Sequence, residues 1–407
     1  MSKKAQTTPT VKGARSAVRV GGGRTSSALD IDALIADTHT QIIVCCGSGG
    51  VGKTTTSAAL GLRAAEQGRK VCVLTIDPAR RLAQSMGLTE LDNVPRPVKD
   101  AGAHGGSLDA MMLDMKRTFD EVVEAHATPE KAEQILSNPF YVALSSSFAG
   151  TQEYMAMEKL GQLHAEAIAQ ADGAHDGAGR WDLIVVDTPP SRSALDFLDA
   201  PERLSSLLDG RFIRLLLVPA KGPARVFSAG FGLVTSALNK VLGAQVLTDM
   251  QTFVAAFDTL FGGFRQRAEG TYALLQAPQT AFIVVASPEP DAMREAAYFV
   301  ERLANENMPL AGLVVNRVSV PGAAGISGAQ AESAAIKLAT GNAADKQTAE
   351  LLTIHAERFK VAAREARLKK RFSAAHPSVP TTSVPALPGD VHDLEGLRII
   401  GALLAGS

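Results

Sequence analysis

Lys53 and Thr54 close a run of glycines in the stretch "GSGGVGKTTT" at residues 47–56. These residue types in this order can hold a polyphosphate. Glycines at 47, 49, 50 and 52 let the backbone curl so that successive N–H groups point inward. A lysine directly after the last glycine can reach β- and γ-phosphates, and the neighbouring threonine hydroxyl can bind Mg²⁺. A helix opening at Lys53 would add its positive N-terminal end. Gly47, Gly52, Lys53 and Thr54 satisfy the nucleotide-loop pattern G-x-x-x-x-G-K-[ST]. An ordinary glycine-rich turn would not account for Lys and Thr closing the loop in sequence. The expected phosphate contacts are therefore Gly49, Gly50, Val51, Gly52, Lys53, Thr54 and Thr55.

Phosphoryl transfer also needs a carboxylate near the metal and a group that positions the attacking water. "WDLIVVDTPP" offers the first: four apolar residues, then Asp187 where the chain leaves its strand. Asp187 is expected to hold Mg²⁺ through water, together with Thr54. "TIDPARRLAQ" offers the second, Asp77. An Asp before Pro is also a common turn residue, so the residues alone leave both readings of Asp77 open.

Such groups must be positioned by strands and helices. Ile42–Cys46 is a short apolar run, Lys53–Gln67 is rich in Ala and Leu, and Lys70–Ile76 is a second β-branched run. Runs of the same kind recur at Leu183–Val186, Leu215–Val218, Phe282–Ala286, Gly312–Val315 and Ser383–Pro385. Short apolar runs alternating with helical stretches predict a parallel sheet covered on both faces. The fold class expected is α/β: a P-loop NTPase with a doubly wound, mostly parallel sheet of about seven or eight strands and an inserted α-helical subdomain.

Around that frame, residues 1–38 read as a disordered basic tail, with six Lys/Arg and no acid in the first 29. Residues 39–400 form the ATPase domain, with helical insertions at about 103–170 and 224–277. The first carries Leu108, Met111, Met115, Phe119 and Val122 at helical spacing, the second Phe227, Phe231, Val234, Leu238 and Val241. Residues 321–345 are rich in Gly, Ala and Ser and read as a flexible loop, and a basic helix follows from Arg358 to Arg371.

The net charge is −1 over 407 residues, so no nucleic-acid partner is expected. The three cysteines, Cys45, Cys46 and Cys72, all fall in strand-like runs and make no disulfide framework. Without a long apolar span or a charged leader, the expected location is the cytoplasm.

Four stretches together carry a family resemblance: "GSGGVGKTTTSAALGLRAAEQGRKVCVLTIDPARRLAQ", "IVVDTPPSRSALDFLDAPERL", "VVASPEPDAMREAAYFVERL" and "GLVVNR". In order and over roughly residues 40–400, the chain resembles the arsenical pump-driving ATPases, a family that includes the ATPases targeting tail-anchored membrane proteins. The likeness is greatest to its single-domain, anion-transporting-ATPase-like actinobacterial members. The resemblance implies ATP and Mg²⁺ as cofactors and a dimer with two nucleotides facing each other across the interface, either a homodimer or a heterodimer with a related ATPase. It implies that Asp77 activates water and that Asp187 to Leu198 forms the second switch. Asn316 matches the adenine-binding asparagine, and Pro385 and Leu387 match the loop that packs on the adenine.

Departures from the pattern narrow the expectation. Ser48 stands where the family has a lysine that crosses to the partner's phosphates, and serine cannot carry that charge. No cysteine follows Cys72, so the targeting ATPases' zinc-binding Cys-x-x-Cys pair is missing. Thiolate binding of arsenite also has no candidate in the helical blocks. The leading expectation is a Mg-dependent ATPase acting as a dimeric nucleotide switch that handles a protein client, an apolar helix or a membrane protein, in a groove built by the helical blocks. The same stripes could instead simply pack on the sheet. The alternatives are the ATPase subunit of an anion transporter and a MinD/ParA-like positioning ATPase.

Overall fold

The computed structural model describes residues 28–76, 83, 85–88, 91–139, 141–142, 151–173, 180–189, 266–322 and 325–406. Eight strands form one sheet: β1 (Ile42–Cys46), β2 (Lys70–Thr75), β3 (Arg96–Pro97), β4 (Ser107–Met112), β5 (Leu183–Asp187), β6 (Thr280–Ala286), β7 (Leu310–Val318) and β8 (Thr381–Pro385). Their order is β3-β4-β2-β5-β1-β6-β7-β8, with every pair parallel except β3 against β4. The central strands β1, β5 and β6 are nearly continuous apolar runs because both of their faces are buried. Ile42, Val44 and Cys46 of β1 point into one core and Ile43 and Cys45 into the other.

The helices divide between these cores. α1 (Ile31–Ala36), α2 (Lys53–Glu66) and α9 (Leu394–Leu404) cover one face. On the other lie α3 (Met115–His126), α4 (Pro129–Leu136), α5 (Thr151–Gly173), a helical stretch over 266–276 and α6 (Pro290–Asn305). Past β7, α7 (Gly328–Leu338) and the long α8 (Ala343–Ala375) pack together as a hairpin. No described helix is long and apolar enough to cross a membrane.

Several sequence expectations are corrected here. Residues 107–112 are a strand, not the start of a helical insertion, and they pair with β2 from Lys70↔Ser107 to Thr75↔Met112. Leu108 and Met111 are buried on opposite faces of the sheet, so their spacing of three matched a helix without marking one. Farther on, Phe119 and Val122 of α3 do share a helical stripe, and that stripe is buried in the core. Leu215–Val218 and most of 224–277 lie outside the described residues.

The Gly/Ala/Ser-rich segment 321–345 is not simply a loop, since α7 and the first residues of α8 lie within it. Ser327 with Gln330, and Asn342 with Asp345, form capping boxes at the two helix starts. Ala is the strongest helix former, and Ala331 and Ala335 are buried. The polar residues that suggested a loop are helix caps.

The basic-tail reading fails at its C-terminal end. Leu29, Ile31 and Ile35 are buried under the sheet. Arg69, itself buried, donates to the carbonyls of Ile35, Asp37 and Thr40 and to Asp182, tying this segment to β5's entry.

Candidate functional site

All the parallel strands point their C-terminal ends toward one edge, where α/β sheets bind ligands. At that edge β1 ends at Cys46 and the chain turns through 47–52 into α2. Two glycines there have no substitute. A Cβ on Gly47 would lie 2.1 Å from the Val285 carbonyl oxygen of β6. Gly52 has φ +95°, and its Cβ would lie 2.2 Å from Asn316 Nδ2. α2 begins without a side-chain cap, so its first N–H groups face the loop.

Lys53 is 5% exposed. Its ammonium donates to the carbonyls of Gly47 at 3.0 Å and Ser48 at 2.9 Å, arching over the loop it closes. Gly49 and Gly50 are exposed, Val51 is buried, and Thr54 and Thr55 are half-buried. The carbonyls of Gly47 and Ser48 are thus both engaged by the Lys53 ammonium.

Asp187 is brought to the loop by register. It pairs with Cys45 on one side and Thr75 on the other, at the ends of three adjacent strands. Its Oδ2 accepts from Thr54 Oγ1 at 2.7 Å and from Thr75 Oγ1 at 2.9 Å. A fully buried carboxylate requires such donors. Thr188 Oγ1 donates to the Cys45 carbonyl at 2.8 Å, fixing the chain as it leaves β5. Thr54 and Asp187 are thus adjacent hard oxygen ligands that could hold a divalent cation.

Asp77 lies outside the described residues. The residue before it, Ile76, donates its backbone N–H to the Asp187 carbonyl at 3.0 Å. Asn316, at the end of β7, reaches the loop directly: its Nδ2 donates to the Val51 carbonyl at 2.9 Å. Pro385 and Leu387 lie one strand farther out. Pro385 pairs with Val318, and Leu387 is half-buried against the core under α9.

Sequence reasoning missed two residues of this site. Thr75 was readable only as a strand residue, although its register pairing directly beside Asp187 brings its hydroxyl to that carboxylate. Arg317 donates to the Gly50 carbonyl at 3.1 Å; a cation directly after Asn316 was the available signal. The three thiols, by contrast, are set apart from ligand chemistry. Burial pushes the Cys45 thiol up to about 12, and the same desolvation raises Cys46 and Cys72.

Similarity searches agree with this geometry. At 25% identity over 276 residues, 68% of this chain and 64% of the relative, the chain is similar to "ATPase ASNA1 homolog" of Cryptosporidium parvum. It is 24% identical to "ATPase BagA" of Mycobacterium tuberculosis over 67% of this chain and 63% of that one. With "ATPase GET3" of Kluyveromyces lactis it shares 24% identity over 71% of this chain and 75% of the other. The chain therefore spans somewhat under two thirds of the length of the first two relatives. The family described as Anion-transporting ATPase matches residues 40–324, which contain the glycine loop, Asp187 and Asn316. On that match and this site, the chain belongs to the anion-transporting ATPase family.

Proposed function

We propose that the chain binds MgATP at residues 47–55 and hydrolyses it to ADP and phosphate in the cytoplasm, acting as a dimeric nucleotide switch. The observation that carries this reading is the convergence of Lys53, Thr54 and Asp187 at one loop, with Thr54 and Asp187 2.7 Å apart. Lys53 binds the β- and γ-phosphates, and its bonds to the loop carbonyls exchange for bonds to phosphate oxygens. Thr54 and Asp187 would hold Mg²⁺, the latter through water, and the ion would supply charge neutralisation for the polyphosphate. Asp77 orients the water that attacks the γ-phosphorus as the bond to the β-γ bridging oxygen breaks. Asp187 leads into the segment that senses loss of the γ-phosphate, since its hydroxyl partners sit on the loop and on the strand before Asp77.

The partner of the switch is a related subunit, the same chain or a paralogue, and its client is an apolar helical or membrane protein. The resemblance to targeting ATPases supports this client class. The buried stripe of α3 does not, because Phe119 and Val122 face the core. A role as the ATPase of an anion transporter is favoured by the family's description, but Cys45, Cys46 and Cys72 are all buried in β1 and β2, where they offer no open thiol site for a metalloid.

The test is one variant measured by calorimetric titration and phosphate release. Asp77→Asn should bind MgATP like the wild type and barely turn over. Normal turnover by Asp77→Asn removes it from the reaction. For the client, ATP-bound protein should retain a synthetic apolar helical peptide; no retention in any nucleotide state contradicts that part of the reading.

A further inference from the structure

Two consecutive side chains at the end of β7 turn back onto the phosphate loop. Asn316 is buried, donates to the Val51 carbonyl at 2.9 Å and accepts the Arg317 N–H on Oδ1 at 3.0 Å. Arg317 donates through Nη1 to the next carbonyl back, Gly50, at 3.1 Å.

The backbone is shaped to make this second contact. Arg317 has φ +62°, in the left-handed region that a long side chain seldom adopts. The other described non-glycine residues with positive φ are Asp100, His104 and Asn307, types that tolerate it. The ladder to β8 also shifts here: Asn316 pairs with Val384 and Val318 with Pro385, so Arg317 is the extra residue of a bulge. Bulges re-aim side chains next to functional sites. Gly52 completes the fit, since any side chain there would displace the Asn316 amide.

The bonds add up around the loop. Lys53 takes the carbonyls of Gly47 and Ser48, Arg317 that of Gly50, Asn316 that of Val51, and Thr56 that of Gly52. A carbonyl fixed from outside turns the following N–H inward, and accepting a bond from a cation polarises that N–H further. Lys53 is the only one of these donors that must leave its carbonyls to reach a phosphate.

We propose that Arg317 is a positioning residue for nucleotide binding: the bulged end of β7 aims its guanidinium at Gly50 so that Asn316 and Arg317 together hold the Gly50 and Val51 carbonyls, turning the N–H groups of Val51 and Gly52 toward the phosphates. The inference rests on reading residues 47–55 as the nucleotide loop. It gives Asn316 a role in the loop itself, beside any contact with the base.

The test separates side chain from backbone. Arg317→Gly removes the guanidinium and suits the positive φ, so folding is preserved; Arg317→Lys keeps a cationic donor. Two quantities are read in the full chain: MgADP affinity by calorimetric titration, and hydrogen–deuterium exchange of a peptide covering 47–56 without nucleotide. Arg317→Gly should weaken MgADP binding about tenfold, a change of roughly 1.4 kcal/mol, and speed exchange in the loop. Arg317→Lys should restore affinity to within about threefold, roughly 0.7 kcal/mol. Wild-type affinity and wild-type loop exchange in Arg317→Gly would overturn the proposal. Lys53→Ala is the control for the underlying reading: if it retains MgADP affinity, the nucleotide-loop reading itself fails. If Lys53→Ala loses binding while Arg317→Gly does not, only the role of Arg317 fails.

Discussion

Thr54, in the first turn of α2, and Thr75, the last residue of β2, donate to the same oxygen of Asp187, at 2.7 and 2.9 Å. One carboxylate oxygen therefore links the phosphate loop to the strand that leads to Asp77. A change in what Thr54 binds would reach the end of β2 through this one atom, the connection the proposed nucleotide switch needs.

Thr75→Val keeps shape and removes one donor from that buried carboxylate. Hydrogen bonds to charged groups contribute roughly 1.5–3 kcal/mol, so urea unfolding should show a loss of that size. The Mg²⁺ dependence of nucleotide binding should weaken as well, because the carboxylate is no longer held from the β2 side. Unchanged stability would mean that water replaces the Thr75 hydroxyl.

Gly52→Ala forces a Cβ into the Asn316 amide at a positive φ. The left-handed backbone alone costs roughly 1–2 kcal/mol in a non-glycine residue, and the displaced amide releases Val51. Thermal unfolding should fall and MgATP affinity should drop about tenfold or more. Gly87, whose Cβ would meet nothing within 4 Å, is the control: Gly87→Ala also bears a positive φ, and its stability loss should leave nucleotide affinity unchanged.

The thiols make a pH prediction. Only the thiolate is nucleophilic, and Cys45 titrates at about 12 because burial disfavours its charged form. At pH 8 its thiolate fraction is then on the order of one in ten thousand. Iodoacetamide at pH 8 should leave Cys45, Cys46 and Cys72 unmodified in the native protein and label all three in denaturant, as mass spectrometry would show. Raising the pH toward 9 should not change the native result; rapid native labelling would place a thiol in contact with solvent.

Ser48 is half-buried and lends its carbonyl to Lys53. Its side chain carries no charge to offer the proposed partner subunit. Ser48→Lys should raise phosphate release at saturating MgATP about tenfold or more, within the range a trans-acting cation can supply. A fast wild-type enzyme that gains nothing from the lysine would remove Ser48 as a restriction on turnover.

Much of this architecture was legible because its chemistry is local. The glycine loop follows from its own residue types, and β1, β2, β5, β6 and β7 announce themselves by apolar runs, while only Ser383–Pro385 of β8 was read as one. β4 did not: "SLDAMM" buries both faces, and its apolar residues fit a helical period equally well. α7 hid behind alanines and caps. Thr75 and Arg317 belong to the site only through strand register and a bulge, and those are relations between distant segments that no single stretch records. Asp77 is assigned through the family resemblance alone and falls outside the described residues.

The central claim is that residues 47–55, with Asp187, run Mg-dependent ATP hydrolysis. A single-turnover experiment tests it most directly, with purified protein in excess over γ-labelled ATP so that slow hydrolysis is still seen. The account predicts release of labelled phosphate with Mg²⁺, none with EDTA, and none from Lys53→Ala, which should also fail to retain the nucleotide. Phosphate release that survives EDTA, or persists at the wild-type rate in Lys53→Ala, would contradict it.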